Sequence, residues 1–175
     1  MEKFTSMLAG GHPNSLGRTI EVVELVCGDQ TRMRELLDCY KCDDEVVRLR
    51  VSSSLKRVEA EHHDWLVPYI DELIDDVGQP DQASARWTLA QLFDRLSVDL
   101  SADQRKRAVA LLKRNLQKET DWIVVNTTLD TLSRWAGDDL ALRTWMKPHV
   151  ERLAKDERKS VAGRAAKVAK KLFRE

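Results

Sequence analysis

Along residues 43–58, DDEVVRLRVSSSLKRV, small and apolar residues return at Val47, Val51, Ser54 and Val58, in steps of four, three and four. Those steps put all four on one face of an α-helix. The same steps recur at Ala85, Leu89, Leu92 and Leu96, then at Val125, Leu129, Leu132 and Ala136, then at Val161, Ala165, Val168 and Leu172. An acidic residue opens each unit: Asp43, Asp81, Asp121 and Glu157, at intervals of 38, 40 and 36 residues. Each predicted helix is preceded by another. Trp65, Pro68, Ile70, Leu73 and Asp76 of the stretch DWLVPYIDELIDD return eighty residues later as Trp145, Pro148, Val150, Leu153 and Asp156. Between them, SADQRKRAVALLKRNLQ keeps Val109, Leu112 and Leu116 but lacks the Trp and Pro; before them stand Met33, Leu36, Leu37 and Tyr40. The eighty-residue echo is thus two periods of a forty-residue, two-helix unit, the mark of a helical solenoid.

No stretch alternates as a strand would. Residues 1–14, with Gly10, Gly11 and Pro13, read as a flexible leader, and GRTIEVVELVC as a capping helix. Gly28, Gly78 and Gly137 each follow an apolar stretch, where a left-handed C-terminal cap is expected. Ser101 with Gln104 fits a capping box. Asp43 and Asp81 are expected to cap the following helices, with Arg48 and Arg86 bridging neighbouring turns.

The unit WLVPYIDELIDDVGQPDQASARWTLAQLFDRL resembles a HEAT repeat: Pro68 in the first helix, a turn aspartate at Asp81, Arg86, then Leu89 and Leu92 on the second helix. Asp43, Val47 and Arg48 fit the preceding copy; the third has Asn126 in place of the arginine, and the fourth has Glu157 and Ala162. The resemblance covers roughly residues 29–174. It implies an all-α fold, a right-handed α–α superhelix of about four helix pairs plus the N-terminal capping helix, filling residues 15–175. It also implies an Asp–Arg ladder between units and second helices lining a concave face.

Composition narrows the function more than it names it. The chain is 42% hydrophobic and 33% charged, with 29 basic and 29 acidic residues. It can bury a core, and its neutral balance weighs against a dedicated nucleic-acid binder. No apolar run is long enough to cross a membrane, and the N-terminus lacks a signal-peptide core. A cytoplasmic setting is the default expectation. Charge is uneven: residues 59–85 carry eight acidic residues and no Lys or Arg, while residues 101–118 and 155–175 are basic.

Candidate chemistry is sparse. Cys39-x2-Cys42 with His62 and His63 some twenty residues on makes an incomplete zinc set, and Cys27 stands apart. No phosphate loop, HExxH, calcium loop or G-x-S-x-G is present. Asp71, Glu72, Asp75 and Asp76 spread over an exposed face. No catalytic residue, metal or cofactor is expected. Trp65 and Trp145 take equivalent first-helix positions as packing residues. Trp87 lies opposite the core stripe, equivalent to Leu49, Thr127 and Gly163. The expected partner-binding face therefore comprises Leu49, Ser53, Trp87, Gln91, Thr127, Thr131 and Arg134. The expected function is a non-enzymatic scaffold or adaptor that binds another protein. The resemblance also implies alternatives: a nucleic-acid-binding protein akin to HEAT-like DNA glycosylases, using the basic residues at 105–118 and 155–174, or a HEAT-like lyase.

Overall fold

A computed structural model describes residues 2–173. The chain is all-helical, and no strand occurs among the described residues. The helices are α1 (Phe4–Leu8), α2 (Thr19–Gly28), α3 (Met33–Asp38), α4 (Glu45–Glu61), α5 (Ile70–Glu72), α6 (Ala83–Arg95), α7 (Ala102–Lys118), α8 (Trp122–Trp135), α9 (Leu140–Leu153) and α10 (Lys159–Leu172). The chain divides into two compact units, Met1–Thr88 and Leu89–Glu175, with the boundary inside α6.

The four helical stripes read from the sequence are buried in the structure. Every aligned position from Val47 to Val168 is 0–4% exposed, and of the sixteen only Leu172 is half-buried. Ser54 can stand in an apolar stripe because its hydroxyl donates to the Arg50 carbonyl at 2.9 Å. A buried hydroxyl with a partner avoids most of its desolvation cost.

In the first unit α2 packs on α4, and α1 packs on both. Helix α4 starts where the Asp44 carboxylate accepts from the Val46 and Val47 amides at 2.8 and 3.4 Å. The cap is therefore Asp44, one residue beyond the expected Asp43. Helix α4 ends at His62, whose φ of −137° and ψ of 68° leave the helical region. The stretch expected as a flexible leader is packed where it carries apolar residues: Phe4, Met7 and Leu8 are buried. The Phe4 amide donates to Glu35 at 2.9 Å, and the Arg32 guanidinium lies 3.8 Å from the centre of the Phe4 ring.

The rest of this segment wraps around Arg50, which is 2% exposed. Its guanidinium donates to the carbonyls of Leu8 (2.6 Å), Ala9 (3.3 Å), Gly10 (2.7 Å), His12 (3.3 Å) and Ser15 (3.2 Å). Gly17 closes over it with φ of +52°, and a Cβ there would lie 2.8 Å from the Arg50 Cζ. Positive φ occurs at Gly10, Gly11 and Gly17. The left-handed caps expected at Gly28, Gly78 and Gly137 do not form.

Trp65 sits in a run of short turns, His63–Trp65 and Val67–Tyr69, before α5 and a π-helical turn at Leu73–Val77. Its eighty-residue echo, Trp145, sits in the regular helix α9. Burial is shared nonetheless: Ile70 and Leu73 match Val150 and Leu153, all at 0–2% exposure. The tryptophans themselves are half-buried, Trp65 stacked on His62 at 3.9 Å and Trp145 tilted on His149 at 4.2 Å.

In the second unit α7 packs on α8, and α10 packs on α8 and α9. The Ser101–Gln104 capping box forms as expected, with both reciprocal hydrogen bonds present. Asp121 caps α8 and Asp139 caps α9. Before α10, Asp156 accepts from the Arg158 amide at 2.9 Å and from its guanidinium at 2.7 Å. These hydrogen bonds lower the Asp156 carboxyl from 3.8 to about 2. A depressed folded-state pKa adds stability that is complete above the unfolded value and lost as pH falls through the folded one. The stability difference between the native chain and Asp156→Asn should thus be constant above about pH 5 and shrink between pH 4 and 2. Urea denaturation of both proteins across that range checks it.

Candidate functional site

Within the first unit, the N-terminal half of α4 and the start of α6 border a shallow groove of about 270 Å³. Its apolar wall is Pro13, Val46, Leu49 and Trp87, and Glu45, Asp81, Gln82 and Ser84 supply polar lining. Gln82 joins the two elements. Its amide nitrogen donates to the Glu45 carbonyl at 3.2 Å and to Ser84 Oγ at 2.7 Å, and its oxygen accepts from Arg48 Nε. Arg48 also donates to the Cys42 carbonyl at 2.5 Å. Arg86 donates to Asp81 at 2.8 Å. Asp81 thus pairs with Arg86. Its side chain is 96% exposed, so the carboxylate of this ion pair stands open to solvent at the groove.

The residues expected to form one binding face have different surroundings. Leu49 and Trp87 are half-buried and line the groove together. Ser53 is half-buried, and its Oγ accepts from Arg57 at 3.2 Å. Gln91 is half-buried. Thr127 is half-buried, its hydroxyl donating to the Ile123 carbonyl at 2.8 Å. Thr131 is 1% exposed, and its hydroxyl donates to the Ala90 carbonyl at 2.8 Å, so it contributes no surface. Arg134 is exposed and ion-paired with Asp94 at 2.8 Å.

Two other cavities offer less. One of about 160 Å³ lies between Leu37, Tyr40, Val77, Pro80 and Ala85, and the Tyr40 hydroxyl is bonded to Ser52 Oγ at 2.8 Å. Burial pushes the Tyr40 hydroxyl pKa up, which keeps it neutral. In the second unit, an open depression of about 550 Å³ is lined by Arg105, Arg134 and Trp135 on one hand and Asp94, Asp138 and Asp139 on the other. The Arg105 guanidinium lies 3.7 Å from the Trp135 ring centre. With both signs of charge on its wall, the depression favours neither anion nor cation.

The thiols separate clearly. Cys39 is 2% exposed and donates to the Glu35 carbonyl at 3.2 Å. Burial, reinforced by the charge of Glu35, pushes its thiol up to about 12, so it is neither nucleophile nor ready ligand. His62 does not join Cys39 and Cys42. It lies with Cys27, the cysteine that spacing had set apart, and with Glu61. Burial, then the charge and hydrogen bond of Glu61, raise the Cys27 thiol above its usual range. His63 pairs instead with Glu59 at 2.9 Å.

The units differ in charge. Residues 1–88 hold 10 basic and 17 acidic residues, a net of −7, and residues 89–175 hold 19 and 12, a net of +7. A neutral total therefore conceals one acidic and one basic unit. Among the described residues no helix is long and apolar enough to cross a membrane. No family model matches the chain, and no curated protein or solved structure matches it either.

Proposed function

We propose that the chain is a non-enzymatic protein-binding adaptor, built as a short right-handed HEAT-like solenoid and working through the second-helix surface around Trp87. The observation that carries the reading is the groove in which half-buried Trp87 and Leu49 stand beside the carboxylates of Glu45 and Asp81. A tryptophan in a partly desolvated setting with a polar rim is what interface hot spots are made of. The occupant it suits is a segment of another protein with an aliphatic or aromatic anchor flanked by Lys or Arg, since this unit is net negative. The regular burial of the four helical stripes supports the solenoid, because repeats stack by presenting the same face in each copy. Three free thiols fit a reducing, cytoplasmic setting.

Panning a displayed peptide library on the immobilised chain tests this. Enriched peptides should carry an apolar anchor beside basic residues. Trp87→Glu should weaken their binding at least about thirtyfold, as hot-spot losses exceed about 2 kcal/mol, while its melting temperature stays far above that of a core variant such as Leu55→Asp. Acidic or anchorless peptides, binding indifferent to Trp87→Glu, or a collapse of Trp87→Glu equal to that of Leu55→Asp would each remove the groove from the reading.

The basic second unit supports a second reading, nucleic-acid binding. Lys159, Lys167, Lys170 and Lys171 of α10 are exposed. Duplex DNA bound through them should be released steeply between about 50 and 200 mM salt. Peptide binding at Trp87 without such DNA binding decides for the adaptor.

A further inference from the structure

We infer that Cys27, Glu61 and His62 form a binding site for a borderline divalent cation of the Zn²⁺ class, joining the C-terminal ends of α2 and α4. The thiol, one carboxylate oxygen and one imidazole nitrogen all lie within 4.8 Å of one another. Thirty-four residues separate Cys27 from Glu61, so the packing of α2 on α4 creates the cluster. Tetrahedral zinc with bonds of about 2.0–2.3 Å sets its ligands about 3.3–3.6 Å apart. Closing the cluster around an ion thus takes side-chain shifts of about 1 Å. Glu61 is exposed and can move that far, while Cys27 and His62 are half-buried.

Two further observations favour a cation there. Cys27 lies in the last turn of α2, and Glu61 is the last residue of α4. Both residues therefore belong to the negative C-terminal turns of their helices, where positive charge is stabilised. His62 is already oriented. It departs from helical geometry, and its ring stacks face to face on Trp65, at 3.9 Å and 6° between planes. Fixed ring orientation is what the surroundings of metal-binding histidines usually provide. Thiolate and imidazole select zinc-like ions over magnesium or calcium. Uptake displaces the thiol proton to solvent. Three protein ligands leave the fourth tetrahedral position to water, so the site is open.

Titrating the reduced, untagged full chain with Co²⁺ tests the inference. A tetrahedral thiolate site gives a thiolate-to-cobalt charge-transfer band and intense visible bands, which Zn²⁺ abolishes by displacement. The native chain should show one equivalent. Cys27→Ser should lose the charge-transfer band, Cys42→Ser should keep it, and His62→Gln and Glu61→Gln should each weaken binding at least about tenfold, since losing even an outer-shell partner of a ligand costs about that much. Far-ultraviolet circular dichroism establishes which variants fold. Should Cys27→Ser not fold, the His62 and Glu61 variants carry the decision. The inference is overturned if the native chain gives no band, if the band survives Cys27→Ser or disappears in Cys42→Ser, or if both the Glu61 and His62 variants bind as the native chain does.

Discussion

Replacing Arg50 by alanine is expected to cost the protein about 3 kcal/mol or more, because breaking a buried hydrogen-bond network is among the changes with large effects. Five carbonyls between Leu8 and Ser15 direct their oxygens at this one guanidinium. Without it they are left without that donor, and a buried acceptor that loses its partner costs about 1–3 kcal/mol. The loss also frees the N-terminal segment, and with it Phe4 and Leu8, both at 0% exposure. Arg50→Lys should recover only part of the stability, because an ammonium carries three donors at one point and cannot reproduce the guanidinium fork. Gly17→Ala makes the account specific. The new Cβ would enter the guanidinium and would sit at positive φ, so the substitution should destabilise. In the Arg50→Ala background the steric part vanishes, and only the backbone part should remain. Urea denaturation of the four proteins of this cycle measures the coupling. Additive effects, or a loss below about 1 kcal/mol for Arg50→Ala, would show that the segment is not held by Arg50.

Hydrophobic spacing carried much of the fold because it is a local property. The stripe from Val47 to Val168 depends only on side-chain period, and it is buried position by position. The Ser101–Gln104 box is equally local. What spacing missed involves partners far along the chain. Gly10, Gly11 and Pro13 look like a leader until Arg50, some forty residues on, supplies their surroundings. The arginine has the spacing of an ordinary α4 residue, and nothing near it in sequence signals that it will be buried. Gly17 has no apolar helix before it, so the rule that searches for glycine at helix ends passes it over. The cap of α4 was placed one residue early because Asp43 and Asp44 are adjacent, and only hydrogen-bond geometry separates them.

The candidate site shows the same division. Opposition to the core stripe located Leu49 and Trp87, and both line the groove. Thr131 failed because its helical position could not reveal that the Ala90 carbonyl lies within 2.8 Å of its hydroxyl. The association of Cys27 with His62 was illegible for a related reason. A Cys-x2-Cys motif draws attention by spacing, whereas these two residues meet only through the packing of α2 on α4.

Deleting residues 157–175 is expected to cause aggregation or a large fall in melting temperature. Helix α10 seats Val161, Ala165 and Val168 at 0–4% exposure against α8 and α9. Burying one valine is worth about 1.5–3 kcal/mol, so the two valines alone supply about 3–6 kcal/mol. Deletion also uncovers the faces of α8 and α9 beneath them, where a new apolar surface invites association. Two point variants distinguish apolar seating from the charge of this basic helix. Val161→Asp puts an unpaired carboxylate into a fully buried position and should cost several kcal/mol. Lys167→Glu changes the charge by two units on the exposed face and should stay within about 0.5 kcal/mol. Differential scanning fluorimetry with light scattering reads both quantities. A soluble deletion with an unchanged melting temperature would mean that α10 is not docked. If Lys167→Glu proved as costly as Val161→Asp, electrostatics and not the apolar stripe would hold it in place.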